Sequence, residues 1–320
     1  MIVALATSKK AKHVIKTSVD LSRQDEGDEM FGSSKAARAI VRFTQNTVNA
    51  LTSILPNRFN NWINSRFNKN EVIPKIIMIN KSMAVSIIFL IGLTKFKIEG
   101  RGDVEKLTSL PIVGDVPLTE EANGSIAVFE NQNTLMSETF RNLRTNLQFM
   151  LENDQKVILV TSTVSGEGKS FISGNLAISL SLLGKKVVIV GLDIRKPGLN
   201  KVFNISKREQ GITQYLANPE KNLMDLVQLS DVSKNLYILP GGTVPPNPTE
   251  LLARDGLDKA IETLKKNFEY VILDTAPVGM VTDTLLIGRV ADLSVYVCRA
   301  DYTRKNEYTL INELIDGNKL

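Results

Sequence analysis

The chain is short of the residues that mark extracellular, metal-bound or nucleic-acid-binding chemistry. Its 320 residues include one cysteine, Cys298, and one histidine, His13. A lone cysteine excludes an internal disulfide and suits a reducing compartment for the C-terminal part of the chain. A lone histidine excludes His-based triads and His-rich metal sites. Aromatics make up 6% of the sequence and do not interleave with the basic residues, so no nucleic-acid partner is expected. The apolar stretch at residues 2–6 is too short for a secretory signal, and charges follow it. No apolar run reaches the roughly 20 residues that span a bilayer. The most apolar stretch, residues 83–93 (MAVSIIFLIGL), is bounded by Lys81 and Lys95. It suits a buried helix, an interfacial segment or the remnant of a membrane helix.

Charge is unevenly placed. Residues 1–100 carry 15 basic and 7 acidic side chains, net +8, while the remainder carries 24 and 27, net −3. The basic excess therefore belongs to the N-terminal third, where it is either a solvated segment or an attraction to anionic lipid headgroups. Residues 1–70 carry no motif, although scattered helical periodicity runs through residues 30–55. Residues 71–97 hold the short hydrophobic stretch. Residues 98–130 read as a linker with a short helix at 103–110, then Pro111, Gly114 and Pro117 as breakers. The nucleotide domain is expected over 131–320.

The densest signal is KVILVTSTVSGEGKSF at residues 156–171. Four apolar β-formers, 157–160, read as a buried parallel strand. A glycine-bearing loop, Gly168-Lys169-Ser170 and a helical run follow, which is the order of a phosphate-binding P-loop. Its glycines let backbone N–H groups approach phosphate oxygens, and the helix N-terminus adds positive potential. The candidate nucleotide contacts are Ser165, Gly166, Glu167, Gly168, Lys169, Ser170 and Phe171. Lys169 reaches the β- and γ-phosphates and Ser170 holds Mg²⁺ in such loops. The usual first glycine of the pattern is Thr163 here.

Two further stations follow. Residues 187–190 form a second apolar strand, with Asp193 and Arg195 just past its end; residues 271–273 continue a third that ends in Asp274. Ligands in open α/β sheets sit outside the carboxyl ends of the strands. One acidic residue after a strand reads equally as a helix cap; three such stations around a P-loop read as a site. Between them the chain alternates: helices at 136–150, 170–183, 249–266 (with Thr249 as N-cap), 283–290 and 305–315, and strands at 236–239 and 293–298. Alternating βα units predict an α/β fold with a doubly wound parallel sheet of the P-loop NTPase type. In the helix at 136–150 the apolar stripe is Met136, Phe140, Leu143, Leu147 and Met150, which leaves Glu138, Arg141 and Arg144 on the exposed side.

These motifs together resemble the bacterial tyrosine kinases, P-loop autokinases of capsule and exopolysaccharide export. The resemblance runs from about Lys97 onward. It rests on VTSTVSGEGKSF (Walker A), VVIVGLDIRKPGL (Walker A′), YVILDTAPV (Walker B), SETFRNLRTNLQF and LPGGTVPPNPTELL. It implies ATP with Mg²⁺, catalytic Lys169, Asp193 and Asp274, and metal held by Ser170, Asp193 and Asp274. Arg195 is implied at phosphate or as a brace of the loop. It also implies a homo-oligomeric ring through the motif Glu138, Arg141, Arg144, and partnership with membrane-embedded polysaccharide export machinery at the cytoplasmic face of the bacterial inner membrane. Three departures stand out. Gly191 replaces the first aspartate of the usual Asp-x-Asp. The tyrosine-rich tail is missing, so a C-terminal truncation is expected, with a sheet position left unpaired after the last helix. The N-terminal region matches nothing in the family. The alternatives are a regulatory P-loop ATPase or a non-catalytic nucleotide-binding remnant.

Overall fold

Consecutive residues of a strand point to opposite faces of its sheet, so a strand that is apolar throughout must be covered on both sides. Continuous apolar runs of three or four residues occur at 157–160, 187–190 and 271–273. In the computed structural model, which describes residues 2–8, 96–118, 126–130, 132–152, 154–205 and 210–317, the strands β3 (Val157–Ser162), β4 (Val187–Gly191) and β7 (Tyr270–Asp274) form the centre of one sheet. Every residue of β3 and β4 is buried. The other strands are β1 (Ile2–Ser8), β2 (Ile112–Val116), β5 (Gln228–Leu229), β6 (Leu236–Leu239) and β8 (Leu293–Arg299). Their order is β2-β1-β8-β3-β7-β4-β6-β5. The five strands β8-β3-β7-β4-β6 are parallel, and β5, β1 and β2 add antiparallel edges. The expected α/β fold with a doubly wound parallel sheet is what forms.

Two cores result. Val157, Leu159, Val188, Val190, Val271 and Leu273 face one side. There they meet α5 (Ile212–Ala217), α6 (Pro248–Ala253), α7 (Gly256–Asn267), α8 (Asp283–Ile287) and α10 (Leu310–Asp316). Ile158, Val160, Ile189 and Ile272 face the other, against α2 (Leu135–Met150), α3 (Lys169–Ser181) and α4 (Leu199–Val202). The ten residues from Ile172 to Ser181 of α3 are all buried, the polar Ser173, Asn175, Ser179 and Ser181 among them. Helix α2 is amphipathic. Thr134 caps it by accepting from the Ser137 N–H at 3.1 Å, a contact worth about 1 kcal/mol.

Several expectations change. The helix expected over 249–266 is two, α6 and α7, and Thr249 is not its cap: Asn247 is, with Pro248 at the first turn. The last helix is likewise split, into α9 (Lys305–Tyr308) and α10. The segment expected as a linker contributes α1 (Arg101–Leu107) and β2. Ile98, Val104, Val113 and Val116 are buried there, and one compact unit joins Met1–Lys12 to Lys97–Leu320. The sheet position beyond β8 is filled. All seven residues of β1 pair antiparallel with β8, and β1 pairs with β2 on its other side. Short local patterns could not reveal this, because the two strands lie almost 300 residues apart. The periodic stretch at 30–55 and the apolar run at 83–93 lie outside the described residues.

Deleting residues 1–8 therefore exposes the β8 edge. We expect a loss of several kcal/mol in urea unfolding, at roughly 0.5–1.5 kcal/mol per lost ladder hydrogen bond, with faster amide exchange in β8. An unchanged midpoint would show that the strand adds no stability.

Candidate active site

The parallel strands point their carboxyl ends to one edge, and three of them deliver the site. Loop 163–168 leaves β3 and enters α3 through Gly168, at φ +97°; Gly166 is at φ +94°. Residues with a Cβ rarely adopt that backbone, so both glycines are required. Asp274 ends β7 and pairs with Val160 of β3 on one side and Gly191 of β4 on the other. Its carbonyl accepts the N–H groups of Leu192 and Asp193 at 2.8 and 2.9 Å. The three stations are thus locked by backbone before any side chain contributes.

Lys169 Nζ lies 3.0 Å from Asp193 Oδ2, with only 12% and 5% of the two side chains exposed. The other Asp193 oxygen accepts the Lys196 N–H at 3.0 Å. Below the pair, Asp274 is fully buried. Its Oδ1 accepts from Ser173 Oγ at 3.1 Å, whereas its Oδ2 has no partner. Burial pushes the Asp274 carboxyl up to about 6, and the Asp193 charge adds to the rise; the Lys169 ammonium and the Ser170 and Ser173 hydroxyls pull it down without prevailing. Ser170 Oγ is so close to Gly198 that a Cβ there would come within 2.5 Å of it. An orphaned carboxylate oxygen, a hydroxyl and a lysine held by a second carboxylate suit a divalent cation accompanied by phosphate. Among the described residues no cluster of three carboxylate, thiol or imidazole groups could hold a metal alone, so phosphate oxygens and water would complete such a shell.

The loop is braced from behind. Glu167 Oε2 accepts the Val164 N–H at 2.7 Å, and its Oε1 accepts the Thr303 hydroxyl in a short contact. Burial raises the Glu167 pKa, against the pull of those donors. Tyr302 Oη donates to the Ser165 carbonyl at 2.8 Å, Arg299 to the Gly166 carbonyl at 3.2 Å, and Thr163 Oγ1 bonds Tyr296 Oη at 2.8 Å. Of the residues expected at the nucleotide, Glu167 thus has its side chain turned into this brace, and Phe171 packs edge-on against Phe140 at 5.9 Å.

Arg195 holds a carboxylate outside the P-loop. Its guanidinium takes both oxygens of buried Asp283, at 2.7 and 3.0 Å, and Thr249 Oγ1 at 2.8 Å. Neither partner lies in loop 163–168. On α2, Glu138 and Arg141 pair with each other at the surface. Arg144, expected beside them on the exposed side, instead docks on α3 and donates to the Ser179 carbonyl at 2.7 Å. Tyr296, Arg299, Thr303 and Asp283 were not singled out from sequence. Glu167, the one charged residue in the glycine loop before Lys169, is the only local signal of the brace.

Ionising Asp274 opposes folding in nucleotide-free, Mg²⁺-free protein, because its folded pKa of about 6 exceeds the ordinary 3.8. This group's contribution falls as pH rises from about 4 to about 6, by at most on the order of 3 kcal/mol, and is level above that. Asp274→Asn removes the loss, so the variant should gain on the wild type between pH 4 and 7 in urea titrations. Parallel curves would contradict this.

A family model described as an AAA domain matches residues 155–303. Tyrosine-protein kinase CpsD of Streptococcus agalactiae is 37% identical over 169 residues, 53% of this chain and 72% of that protein. Tyrosine-protein kinase YwqD of Bacillus subtilis is 33% identical over 57% of this chain and 76% of its own length. Among solved structures, the kinase domain of Escherichia coli tyrosine kinase ETK superposes with a TM-score of 0.62 at 26% identity, covering 69% of this chain and 90% of that one. The chimerical protein CapA2B2 superposes at 0.59 and 30% identity, covering 68% and 93%. With these relatives and a P-loop assembled at the strand ends, the chain belongs to the bacterial tyrosine-protein kinase family.

Proposed function

We propose that this chain is an ATP-dependent protein-tyrosine autokinase of capsular or exopolysaccharide biosynthesis. The observation that carries the reading is the Lys169–Asp193 pair set over the buried, half-satisfied Asp274 at the P-loop. The backbone N–H groups of residues 165–171 hold the phosphates, from Ser165, Gly166, Glu167 and Gly168 into the first turn of α3 at Lys169, Ser170 and Phe171. Lys169 exchanges Asp193 for the β- and γ-phosphates as nucleotide enters, which frees the Asp193 carboxylate. Ser170 Oγ, Asp193 and the orphaned Asp274 Oδ2 would hold Mg²⁺. When bound, Mg²⁺ neutralises charge on the phosphates. Arg195 stays on Asp283 and Thr249 and fixes the backbone two residues after Asp193. Lys169 then stabilises charge that develops during transfer to a tyrosine hydroxyl.

Subunits assemble as a ring through the helix of Glu138, Arg141 and Arg144. Glu138 and Arg141 lie at the surface of α2, which also exposes Leu135 and Phe149 at 61% and 84%. The net +8 of the first 100 residues supports a place at the cytoplasmic face of the bacterial inner membrane, beside membrane-embedded polysaccharide export machinery. Gly191 favours a second reading, a P-loop ATPase that switches partners without phosphorylating tyrosine. No carboxylate stands there, and a Cβ on Gly191 would come 2.9 Å from the Gly241 nitrogen.

Incubation of the purified chain with γ-labelled ATP and Mg²⁺ separates the two. We expect label on tyrosine, reduced roughly 10²–10³-fold in Lys169→Met. ATP hydrolysis dependent on Lys169, without phosphotyrosine, would establish the second reading instead.

A further inference from the structure

Six tyrosines occur in the sequence, and all lie among the described residues. Tyr215, Tyr296 and Tyr308 are buried at 6%, 2% and 0% exposure. Tyr237 and Tyr270 are half-buried. The first stacks edge-on with Phe268 at 5.3 Å, and the hydroxyl of the second accepts from Gln148 at 3.2 Å. Tyr302 differs, being 44% exposed. It stands on a tight turn whose neighbour Asp301 is at φ +60°. That turn is tied down through backbone, by the Asp301 N–H to the Ile98 carbonyl at 2.8 Å and the Thr303 N–H to the Arg299 carbonyl at 2.9 Å. The side chain has two light attachments, the hydroxyl bond to the Ser165 carbonyl and the Arg299 guanidinium 5.5 Å from the ring centre. Both are weak interactions that rotation of the side chain releases without unfolding the turn.

We infer that Tyr302 is the tyrosine this chain phosphorylates on a second copy of itself, and that the modification loosens the P-loop of the copy that receives it. The inference rests on the kinase reading above. The hydroxyl meets the carbonyl side of its own loop, whereas phosphates are held on the N–H side, so the donor site belongs to another copy. In the transfer, the Tyr302 phenolic oxygen bonds the γ-phosphorus of a nucleoside triphosphate. The bond from that phosphorus to the β–γ bridging oxygen breaks, the diphosphate leaves, and the phenolic proton passes to solvent. The product carries no donor for the Ser165 carbonyl. Its charge competes for Arg299, which otherwise holds the Gly166 carbonyl. Two of the contacts behind the loop are lost together, and nucleotide binding weakens.

The test keeps the catalyst unaltered. Wild-type chain, γ-labelled ATP and Mg²⁺ are mixed with a tagged Lys169→Met acceptor, or with the same acceptor that also carries Tyr302→Phe; a Glu/Tyr copolymer is a parallel substrate. We expect phosphate mapped by mass spectrometry to Tyr302 in the wild type and in the single-variant acceptor, and roughly tenfold less label on the double variant. Equal labelling of both acceptors, or a phosphate mapped to another tyrosine, overturns the assignment. So does labelling of the copolymer alone, which leaves the kinase reading standing. Label on neither copolymer nor chain removes the kinase reading and this inference with it. Affinity for a non-hydrolysable ATP analogue should fall roughly tenfold after phosphorylation; equal affinities overturn the loosening.

Discussion

The site is organised by a carboxylate that cannot reach water. Asp274 is fully buried at the end of β7, with one oxygen on Ser173 and the other on nothing. An isolated charge there would be expelled from the ionised state by desolvation, and the rise of its pKa to about 6 expresses that strain. The ammonium of Lys169 offsets part of it but is shared with Asp193. Two carboxylates and one lysine leave the pocket short of one positive charge. A divalent cation beside Asp274 and phosphate beside Lys169 would resolve the imbalance together. The resting ion pair therefore reads as a stand-in for the nucleotide complex.

The same constraint explains why the surroundings are rigid. Groups in such a pocket act through placement, and each is placed by backbone. Asp274 receives the N–H groups of Leu192 and Asp193. Arg195, a few residues on, is fastened to Asp283 and Thr249. The P-loop, which needs its N–H groups free on one side, is held on its other side by Tyr302, Arg299, Thr303 and Tyr296. That second layer comes from β8 and the turn after it.

The fold was legible because β3, β4 and β7 each carry a continuous apolar run, 157–160, 187–190 and 271–273, a pattern that suits a strand covered on both faces. The site was legible where chemistry follows a strand directly, as at Lys169, Asp193 and Asp274. Features set by long-range contact were not legible. Nothing near Ile2–Ser8 announces that it pairs with β8, and nothing around Tyr302 announces that it touches Ser165, 137 positions away. Arg144 misled for a related reason. Its spacing from Arg141 places it off the apolar stripe, yet a long side chain can lie back onto a neighbouring helix, and α3 offers the carbonyl of Ser179. Thr249 looks like a cap in sequence and instead serves Asp283, because Pro248 has already set the helix start.

The central claim is that Lys169, Asp193 and Asp274 form one unit, short of a positive charge, that exchanges its internal ion pair for nucleotide and cation. A crystal structure of the chain with ADP and Mn²⁺, phased to show the anomalous signal of the metal, tests it most directly. The account predicts a manganese peak at coordination distance from Ser170 Oγ, with Asp274 Oδ2 bound directly or through one water, and Lys169 withdrawn from Asp193 onto phosphate. Nucleotide bound with Lys169 still on Asp193 and no metal peak beside Ser170 and Asp274 would contradict it.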